Sequence, residues 1–306
     1  MKNNSHLVLV SIINWNNNDA TNNCLASIAK IAKAHQPDVY LIDNNSQREE
    51  LLVSSDIAQE LKSLTVTHNK ANKGFAGGHN DAIAFAAKNN YDYVCLLNND
   101  AEIIDLDIFT KLTTALNNNK SAIAAAPTIL SSTKPPVIWF GGGTLNTKKA
   151  DTNHNRLHEV VKNSDSKDIQ NVSFLTGCCL MISLCDALLD VTLSEDYFLY
   201  YEDADWCARM QQKGKTLLYV PDAQLLHAPS SSLGIRSASY AYYNIRNRLL
   251  FAKKWHATYI AVTYGTLITS TKIILLSMKQ PHTFISTVRM VVKALNHGVK
   301  NKGGAL

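Results

Sequence analysis

Three polar clusters in this sequence carry side chains that could do chemistry. The first is Asn98-Asn99-Asp100, which ends an apolar run that begins at Tyr93. A carboxylate just beyond the carboxyl end of a buried strand lies where open α/β sheets bind ligands. Its oxygens suit a hard divalent cation that carries phosphates. An Asn/Asp turn leading into the next helix is the alternative interpretation of these residues.

The second cluster is Glu202, Asp203 and Asp205, which follow an aromatic run. Acidic residues at a helix start can be a capping cluster favoured by the helix dipole. Because the aromatic run should be buried, we expect these carboxylates at the edge of a core, where their proton affinity is altered and one can act as a base. The third is a single residue, His227. A lone histidine of this kind is more often a structural residue than a metal ligand.

A glycine-rich stretch, residues 69–80, lies between two of the expected elements. It contains Gly74, Gly77 and Gly78, but it matches neither the dinucleotide fingerprint nor the phosphate-binding loop. It still fits a helix N-terminus whose N–H groups are free for an anion, and glycines that merely allow a tight turn fit equally well. In the later helical pattern, Arg246 either faces solvent or binds a pyrophosphate at the edge of the sheet.

Strands that alternate with helices must position these groups. Strands are expected at residues 6–14, 39–42, 64–67 and 93–98, and helices at about 20–34, 49–62 and from the glycine stretch to 88. This alternation predicts βαβ units with a parallel sheet, and right-handed crossovers bring the polar strand ends to one edge.

The second half of the chain is less regular. Helices are expected at 105–116, 203–213 and 239–254, and strands at 172–183, 216–221 and 224–227. The polar stretch 145–171 has few apolar residues, and we interpret it as a mobile loop that could act as a lid or simply be disordered.

Composition narrows the class of protein. The chain has 306 residues, is 46% hydrophobic and 18% charged, and therefore has enough apolar residues for a real core. Its six cysteines form no CxxC pair, which indicates reduced thiols in a reducing compartment. Residues 1–6 are polar and lack a signal-peptide apolar stretch, so secretion is not expected.

The net charge of +5 conceals an asymmetry. Residues 223–306 contain 11 of the 30 Lys and Arg residues and none of the 25 acidic ones. Such a tail attracts a polyanion: nucleic acid, an anionic membrane or a phosphorylated substrate. Residues 257–278 are long and apolar enough to span a bilayer, but Lys272 and the many hydroxyls favour helices that lie in the membrane interface, as does the basic segment 284–295. A helical hairpin packed on the core is the alternative.

Seven short segments, in this order, resemble the inverting family 2 glycosyltransferases of GT-A fold, and more narrowly their bacterial rhamnosyltransferase-like branch. They are INWN (13–16), LIDNNS (41–46), NKGFAGGHN (72–80), LLNND (96–100), YEDAD (201–205), His227 and YYNIRNR (242–248). Each segment is modest alone, whereas the ordered set is specific for the family and not for the sugar.

The resemblance implies a role for each matching residue. Nucleotide-sugar binding is assigned to Asn14, Asp43, Lys73, Gly74, Asn98, Asn99 and Arg246, with Asp43 on a pyrimidine base. Asp100 and His227 would hold Mg²⁺ or Mn²⁺ on the diphosphate. Asp203 would be the general base, and the acceptor side would include Glu202, Asp205, Gly177 and Trp139. Asn98 replaces the first Asp of the family's Asp-x-Asp motif, so a lower metal affinity is expected, and the strictness of the metal dependence is left open.

The implied fold is α/β, a Rossmann-like and mostly parallel sheet with flanking helices. It would cover residues 1–251, with a nucleotide-sugar half to about 126 and an acceptor half beyond, and residues 252–306 would form basic amphipathic helices. The implied activity is inverting transfer of a sugar, best L-rhamnose from dTDP-rhamnose, to a lipid-linked glycan at the cytoplasmic face of the membrane, as in surface-polysaccharide assembly. The alternatives are a UDP-hexose or UDP-N-acetylhexosamine donor, an inactive scaffold of this fold, and a nucleic-acid-binding protein, against which the acids at 202–205 argue.

Overall fold

The structure, a computed structural model, describes residues 7–186, 190–227, 237–278 and 281–306, so residues 1–6, expected to hold no signal peptide, lie outside the described residues. A ten-stranded sheet forms its centre. The amino-terminal half supplies β1 (Val8–Asn14), β2 (Asp38–Asp43), β3 (Leu64–His68) and β4 (Tyr93–Asn98). These strands pair in parallel in the order β4-β1-β2-β3, so their carboxyl ends lie at one edge, as expected.

Four helices accompany these strands. They are α1 (Asn18–Ala29), α2 (Ser55–Glu60), α3 (Gly74–Lys88) and α4 (Ile108–Asn117). Asn17 caps α1 by accepting a hydrogen bond from the Ala20 amide at 3.3 Å, so the cap is not Asp19. The helix expected over 49–62 shrinks to the six residues of α2, none of which is fully buried, so little burial is available to stabilise a longer helix.

The glycine stretch overlaps α3: residues 69–73 precede the helix, and residues 74–80 form its first turns. Gly74 has a φ of +71°, which glycine adopts freely. The next amide, that of Phe75, donates to the Phe198 carbonyl at 2.8 Å. Gly78 faces β1, where an added Cβ would lie 2.6 Å from Ile13 Cδ1. The glycines therefore allow α3 to pack closely against β1 and the segment at Phe198.

The second half of the chain makes the sheet mixed. Its strands are β5 (Ala101–Ile103), β6 (Ala122–Thr133), β7 (Pro136–Phe140), β8 (Gly143–Asn146), β9 (Asp151–His154), β10 (Gln170–Val172), β11 (Cys179–Ser183) and β12 (Thr216–His227). β11 runs antiparallel to both β4 and β6. β12 is parallel to β6 and continues past Pro221 as one strand with a register shift between Val220 and Gln224, where two strands were expected.

The prediction of a mobile loop over 145–171 was wrong for much of that stretch. β8 and β9 form a two-stranded antiparallel sheet, and a further bridge joins Val137 to Val160. Arg156 Nη2 lies 2.6 Å from Asp165 Oδ2. The polar residues therefore satisfy one another locally, which composition alone could not indicate.

Four helices complete the chain: α5 (Glu202–Gln212), α6 (Ala238–Lys254), α7 (Tyr259–Ser277) and α8 (Pro281–Val299). A small apolar cluster joins the last three through Ile245, Ile273 and Val291. Within the described residues, α7 alone is long and apolar enough to span a membrane, with a mean hydropathy of 1.4 over an 18-residue window that is 28% buried. All six cysteines are free thiols.

Candidate active site

The sheet register brings Asp100 and His227 together. β5 begins immediately after Asp100 and pairs antiparallel with β12, so that His227 lies opposite Ala101. The His227 Nε2 atom lies 3.0 Å from Asp100 Oδ1. Trp139, on β7, covers the imidazole edge-on with ring centroids 4.9 Å apart. Residues more than a hundred positions apart in sequence thus form one polar pair at the carboxyl edge of the sheet.

The charge state of His227 reflects opposing influences. Burial disfavours the imidazolium and lowers its pKa, whereas the neighbouring side chains of Cys178 and Asp100 favour the charged form, and the pKa rises to about 10. The histidine is therefore held as the cationic partner of Asp100 in the protein alone. A metal ion bound at Nε2 would have to displace that proton.

The donor set fits a divalent cation with help from the substrate. A carboxylate oxygen and an imidazole nitrogen face each other, and no group of three His, Cys, Asp or Glu side chains with metal-binding geometry occurs among the described residues. Mg²⁺ is commonly held by one or two protein ligands together with substrate phosphates and water. Asp100 and His227 therefore suit a cation that also binds a diphosphate.

A short backbone segment, Gly177-Cys178, connects this pair to Asp203. Because β11 is antiparallel to β4, with Cys179 opposite Leu97, the Cys178 carbonyl accepts a hydrogen bond from the Asn98 amide at 2.9 Å. The preceding amide, Gly177 N, donates to Asp203 Oδ2 at 3.2 Å. Two consecutive residues, Gly177 and Cys178, thus contact Asp203 on one side and the end of β4 on the other.

Gly177 has a steric reason to be glycine. An added Cβ would lie 2.8 Å from Phe75 Cζ and 3.9 Å from Asp203 Cβ. Phe75 belongs to α3, so α3, Gly177 and the start of α5 meet at this point. A larger residue at position 177 would displace the Phe75 ring, whereas its contact with Asp203 would be an ordinary van der Waals one.

The neighbouring carboxylates Glu202 and Asp203 have different environments. Asp203 accepts hydrogen bonds from the Gly177 and Ala204 amides, the latter at 2.8 Å, yet burial raises its pKa to about 6. Glu202 is buried, its Oε2 has no hydrogen-bond partner among the described residues, and both burial and the Asp203 charge raise its pKa well above the usual range. Burial and the neighbouring charge therefore favour the neutral form of Glu202, whereas the backbone amides favour the ionised form of Asp203.

The Asp205 carboxylate is held by four hydrogen-bond donors of the protein. It is fully buried and accepts from Tyr197 Oη at 3.3 Å, Trp255 Nε1 at 2.9 Å, Arg209 Nε at 3.2 Å and Lys254 Nζ at 2.8 Å. Lys254 and Trp255 join α5 to the end of α6, Tyr197 joins it to the segment before α5, and Arg209 lies on α5 itself. Asp205 was expected on the acceptor side, and these contacts leave neither of its oxygens directed only at solvent.

The predicted donor-side residues share one hydrogen-bond network with the turn after β4. Asn14 Nδ2 donates to Asp43 Oδ1 at 3.1 Å. Thr21 Oγ1 donates to Asn14 Oδ1 at 2.8 Å and accepts from Asn99 Nδ2 at 3.0 Å. The strand ends of β1, β2 and β4 are thereby tied together next to Asp100.

A second network, missed in the sequence, shapes the approach to α3. Asn44 Oδ1 accepts from the Lys73 amide and from Asn69 Nδ2, each at 3.0 Å, and its Nδ2 donates to the Gly74 carbonyl at 3.0 Å. Lys73 Nζ itself pairs with Asp81 at 2.7 Å. The run of asparagines at 44, 69 and 72 was the available signal, since such side chains commonly bond to loop backbone.

The chain is similar to known proteins over most of its length. The family model described as glycosyltransferase-like family 2 matches residues 5–246. The chain belongs to this family. The glycosyltransferase is 23% identical to the low-salt glycan biosynthesis hexosyltransferase Agl10 of Haloferax volcanii over 96% of this chain and 92% of the relative. It is 30% identical, over 28% of each chain, to N-acetylglucosaminyl-diphospho-decaprenol L-rhamnosyltransferase of Mycobacterium tuberculosis.

Solved structures show that the glycosyltransferase has the GT-A fold. The mannosyltransferase PcManGT of Pyrobaculum calidifontis, in complex with GDP-Man and Mn²⁺, has a TM-score of 0.57 at 13% identity, over 96% of this chain and 87% of that one. GalNAc-T7 with UDP, GalNAc and Mn²⁺ has a TM-score of 0.60 at 15% identity, over 82% and 48%. The chain is thus an enzyme of the glycosyl-transferring class on a mixed α/β fold.

One expected donor-side residue of the glycosyltransferase lies elsewhere. Arg246 is fully buried, and its guanidinium donates to the main-chain carbonyls of Asp196 at 3.3 Å and Tyr197 at 2.8 Å and to the Gly304 carbonyl. A contact with a pyrophosphate would require these bonds to break. The structure therefore does not bring Arg246 together with Asp100 and His227.

Proposed function

We propose that this glycosyltransferase moves a hexose, with inversion, from a nucleotide-sugar to a lipid-linked glycan. The observation that carries the proposal is the convergence of the Asp100–His227 pair and Asp203 on the two sides of Gly177-Cys178. One side offers ligands for a cation and its diphosphate, and the other offers a base. Displacement of a nucleoside diphosphate by a hydroxyl needs both.

The base acts on the acceptor. In the proposed step, Asp203 takes the proton of the acceptor hydroxyl while that oxygen forms a bond to the anomeric carbon and the bond to the diphosphate breaks. A single carboxylate on the face opposite the leaving group gives inversion. Glu202, whose neutral form is favoured by burial and by the Asp203 charge, would line the acceptor side with Gly177 and Trp139.

The leaving group needs its charge neutralised. Asp100 and His227 would hold Mg²⁺ or Mn²⁺, which when bound supplies positive charge to the diphosphate oxygens. Asn98 is neutral, so the protein contributes one carboxylate to this position. A weaker cation affinity than that of a two-carboxylate site follows from the missing charge.

The nucleotide is proposed to lie along the β1 and β2 ends. Asp43 is the candidate for the base contact, with Asn14 and Asn99 fixing the surrounding turns. Lys73 and Gly74 would line the same pocket at the start of α3. Binding there is expected to exchange some of the internal hydrogen bonds of Asp43 for bonds to the nucleotide.

L-Rhamnose from dTDP-rhamnose is the preferred donor, and a UDP-hexose is the alternative. The mycobacterial rhamnosyltransferase, whose name includes a diphospho-decaprenol acceptor, and the archaeal hexosyltransferase support a glycan acceptor and leave the sugar open. Thermal-shift measurements with a panel of nucleotide-sugars, with and without Mn²⁺, test this assignment. The true donor should raise the melting temperature most, and no shift with any donor would contradict the proposal.

We further propose that the protein works at the cytoplasmic face of an anionic membrane through α7 and α8. Large apolar side chains on α7 face outward, with Tyr259 82% and Ile260 78% exposed. The same region carries the excess of basic residues. Apolar surface beside positive charge suits the interface of an anionic bilayer, where a lipid-linked acceptor would be presented.

A further inference from the structure

The segment before α5 has an unusual backbone. Phe198, Tyr200 and Tyr201 have φ values of 62°, 66° and 74°, in the left-handed region that bulky residues rarely adopt. We call residues 197–201 the aromatic turn. Such a conformation persists only where the surroundings hold it, and it is common at functional sites.

A single amide on α6 binds three carbonyls of the aromatic turn. Asn247 is fully buried, and its Nδ2 donates to the carbonyls of Tyr197 and Leu199, each at 2.8 Å, and of Tyr200 at 2.7 Å. An amide nitrogen has two hydrogens, so at least one of these bonds is shared. The bonds span the left-handed residue Phe198 and reach the residue before Tyr201.

Arg246 supports Asn247 and contacts the same turn. Its Nε donates to Asn247 Oδ1 at 2.7 Å, which fixes the amide with its nitrogen toward the carbonyls. Its Nη2 donates to the Tyr197 carbonyl at 2.8 Å. The guanidinium also lies over the rings of Tyr242 and Tyr243, 5.2 and 5.0 Å from their centroids. The arginine is thus locked by packing and hydrogen bonds on several sides.

The aromatic turn leads directly into the candidate base. α5 starts at Glu202, and the Phe198 carbonyl accepts from the Phe75 amide, so the turn also determines where Phe75 meets Gly177. We propose that Arg246 and Asn247 are positioning residues for glycosyl transfer, which hold the aromatic turn so that Asp203 meets the Gly177 amide and the acceptor hydroxyl. This inference rests on the proposed role of Asp203 as the base.

A matched pair of variants tests the proposal in the full-length protein. Asn247→Leu removes the amide with little change in volume. Gln36→Met is the control, because the buried Gln36 Nε2 also donates to three carbonyls, those of Ala29 at 3.0 Å, Ile31 at 2.8 Å and Glu60 at 3.3 Å, at the amino end of β2 and away from the site. Melting temperature, kcat, KM and donor Kd are measured for both variants.

We expect both variants to lose similar thermal stability, whereas kcat falls about 10- to 100-fold in Asn247→Leu alone, because a displaced base costs rate more than donor binding. Donor Kd should stay within about twofold in each. Equal kcat losses in the two variants, or an unchanged kcat in Asn247→Leu, would overturn the proposal.

A second variant decides the matter if Asn247→Leu does not fold. Arg246→Lys keeps the buried charge but loses the fork of donors, so we expect a several-fold lower kcat at unchanged donor Kd, and an unchanged kcat overturns the proposal. Asp203→Asn is assayed in parallel. Retained activity there refutes the base assignment, whereas lost activity there with retained activity in both α6 variants refutes the positioning role alone.

Discussion

Replacing Asp203 by asparagine separates its catalytic contribution from its structural one. Burial raises the pKa of Asp203 from 3.8 to about 6. A rise of two pKa units corresponds to about 3 kcal/mol of cost for the ionised form in the folded protein at neutral pH. Because the folded state holds the proton more tightly, this cost is absent below about pH 4 and appears as the pH rises to about 6.

The asparagine variant removes that cost and loses one backbone interaction. Only one of the two side-chain atoms can still accept a hydrogen bond, so either the Gly177 or the Ala204 amide loses its partner. An unsatisfied buried amide costs about 1–3 kcal/mol. The two effects oppose each other, so the free energy of unfolding at pH 7 should change by less than about 2 kcal/mol.

The effect on the reaction should be far larger. General-base catalysis contributes about 10²–10⁴-fold, and we expect kcat to fall by that factor in Asp203→Asn while donor Kd is unchanged. Glu202→Gln is the comparison, because burial and the Asp203 charge favour the neutral form of Glu202, which has no base function to lose, and its kcat should fall by no more than about tenfold.

The assay is release of the nucleoside diphosphate in the presence of acceptor, with donor Kd measured separately by calorimetry. If Asp203→Asn keeps kcat within about fivefold of the parent protein, another group is the base. If instead Glu202→Gln shows the larger loss, the order of the two pKa values inferred from their environments is wrong.

Three further outcomes are expected. The pH profile of kcat/KM between pH 5 and 9 should fall on its acidic side with an apparent pKa of about 6, because protonated Asp203 cannot accept a proton; a profile flat to pH 5 would contradict this. Chelation of divalent cations by EDTA should abolish sugar transfer, and added Mn²⁺ should restore it. The Mn²⁺ concentration that gives half-maximal activity should be at least roughly tenfold higher for Asp100→Asn than for the parent protein. Full activity in EDTA would remove the cation from the proposal. Leu267 on α7 is 64% exposed, and Leu267→Glu should weaken binding to anionic phospholipid vesicles about tenfold or more. Leu52, which is 67% exposed and lies outside α7, is the control, and Leu52→Glu should bind the vesicles as the parent protein does. Equal binding of both variants would refute the proposed membrane surface.

Apolar runs that end in polar residues predicted β1 to β4 and their shared edge well. A strand that is buried on both faces needs a continuous run of apolar residues, and a ligand-binding edge of the sheet needs polar residues directly after that run. Both patterns lie within a few residues of the chain, so they can be recognised in the sequence. The helix predicted over 49–62 was too long, because the helical spacing of apolar residues does not indicate whether another element will cover that face of the helix. The packing role of Gly78 could not be recognised in the sequence because the approaching side chain, Ile13, lies on another element, β1.

The sequence could nominate residues for the candidate site but could not indicate their geometry. The pairing of Asp100 with His227 depends on the antiparallel register of β5 and β12, and β5 has three residues, too few to recognise by pattern. For Arg246, binding of a pyrophosphate at the edge of the sheet was a chemically reasonable prediction. The orientation of Arg246 toward the aromatic turn rather than the sheet edge is decided by long-range contacts, including one with Gly304.

The adjacent acids Glu202 and Asp203 show how neighbouring carboxylates acquire different roles. Sequence alone treats them as equivalent. In the fold, α5 directs Glu202 into the core, where Oε2 has no hydrogen-bond partner among the residues described, and directs Asp203 toward the Gly177 amide. Burial raises both pKa values, whereas the Gly177 and Ala204 amides donate to Asp203 and favour its ionised form. Two like charges this close disfavour each other, so burial and the Asp203 charge favour a neutral Glu202 beside an ionised Asp203, the form that can act as a base.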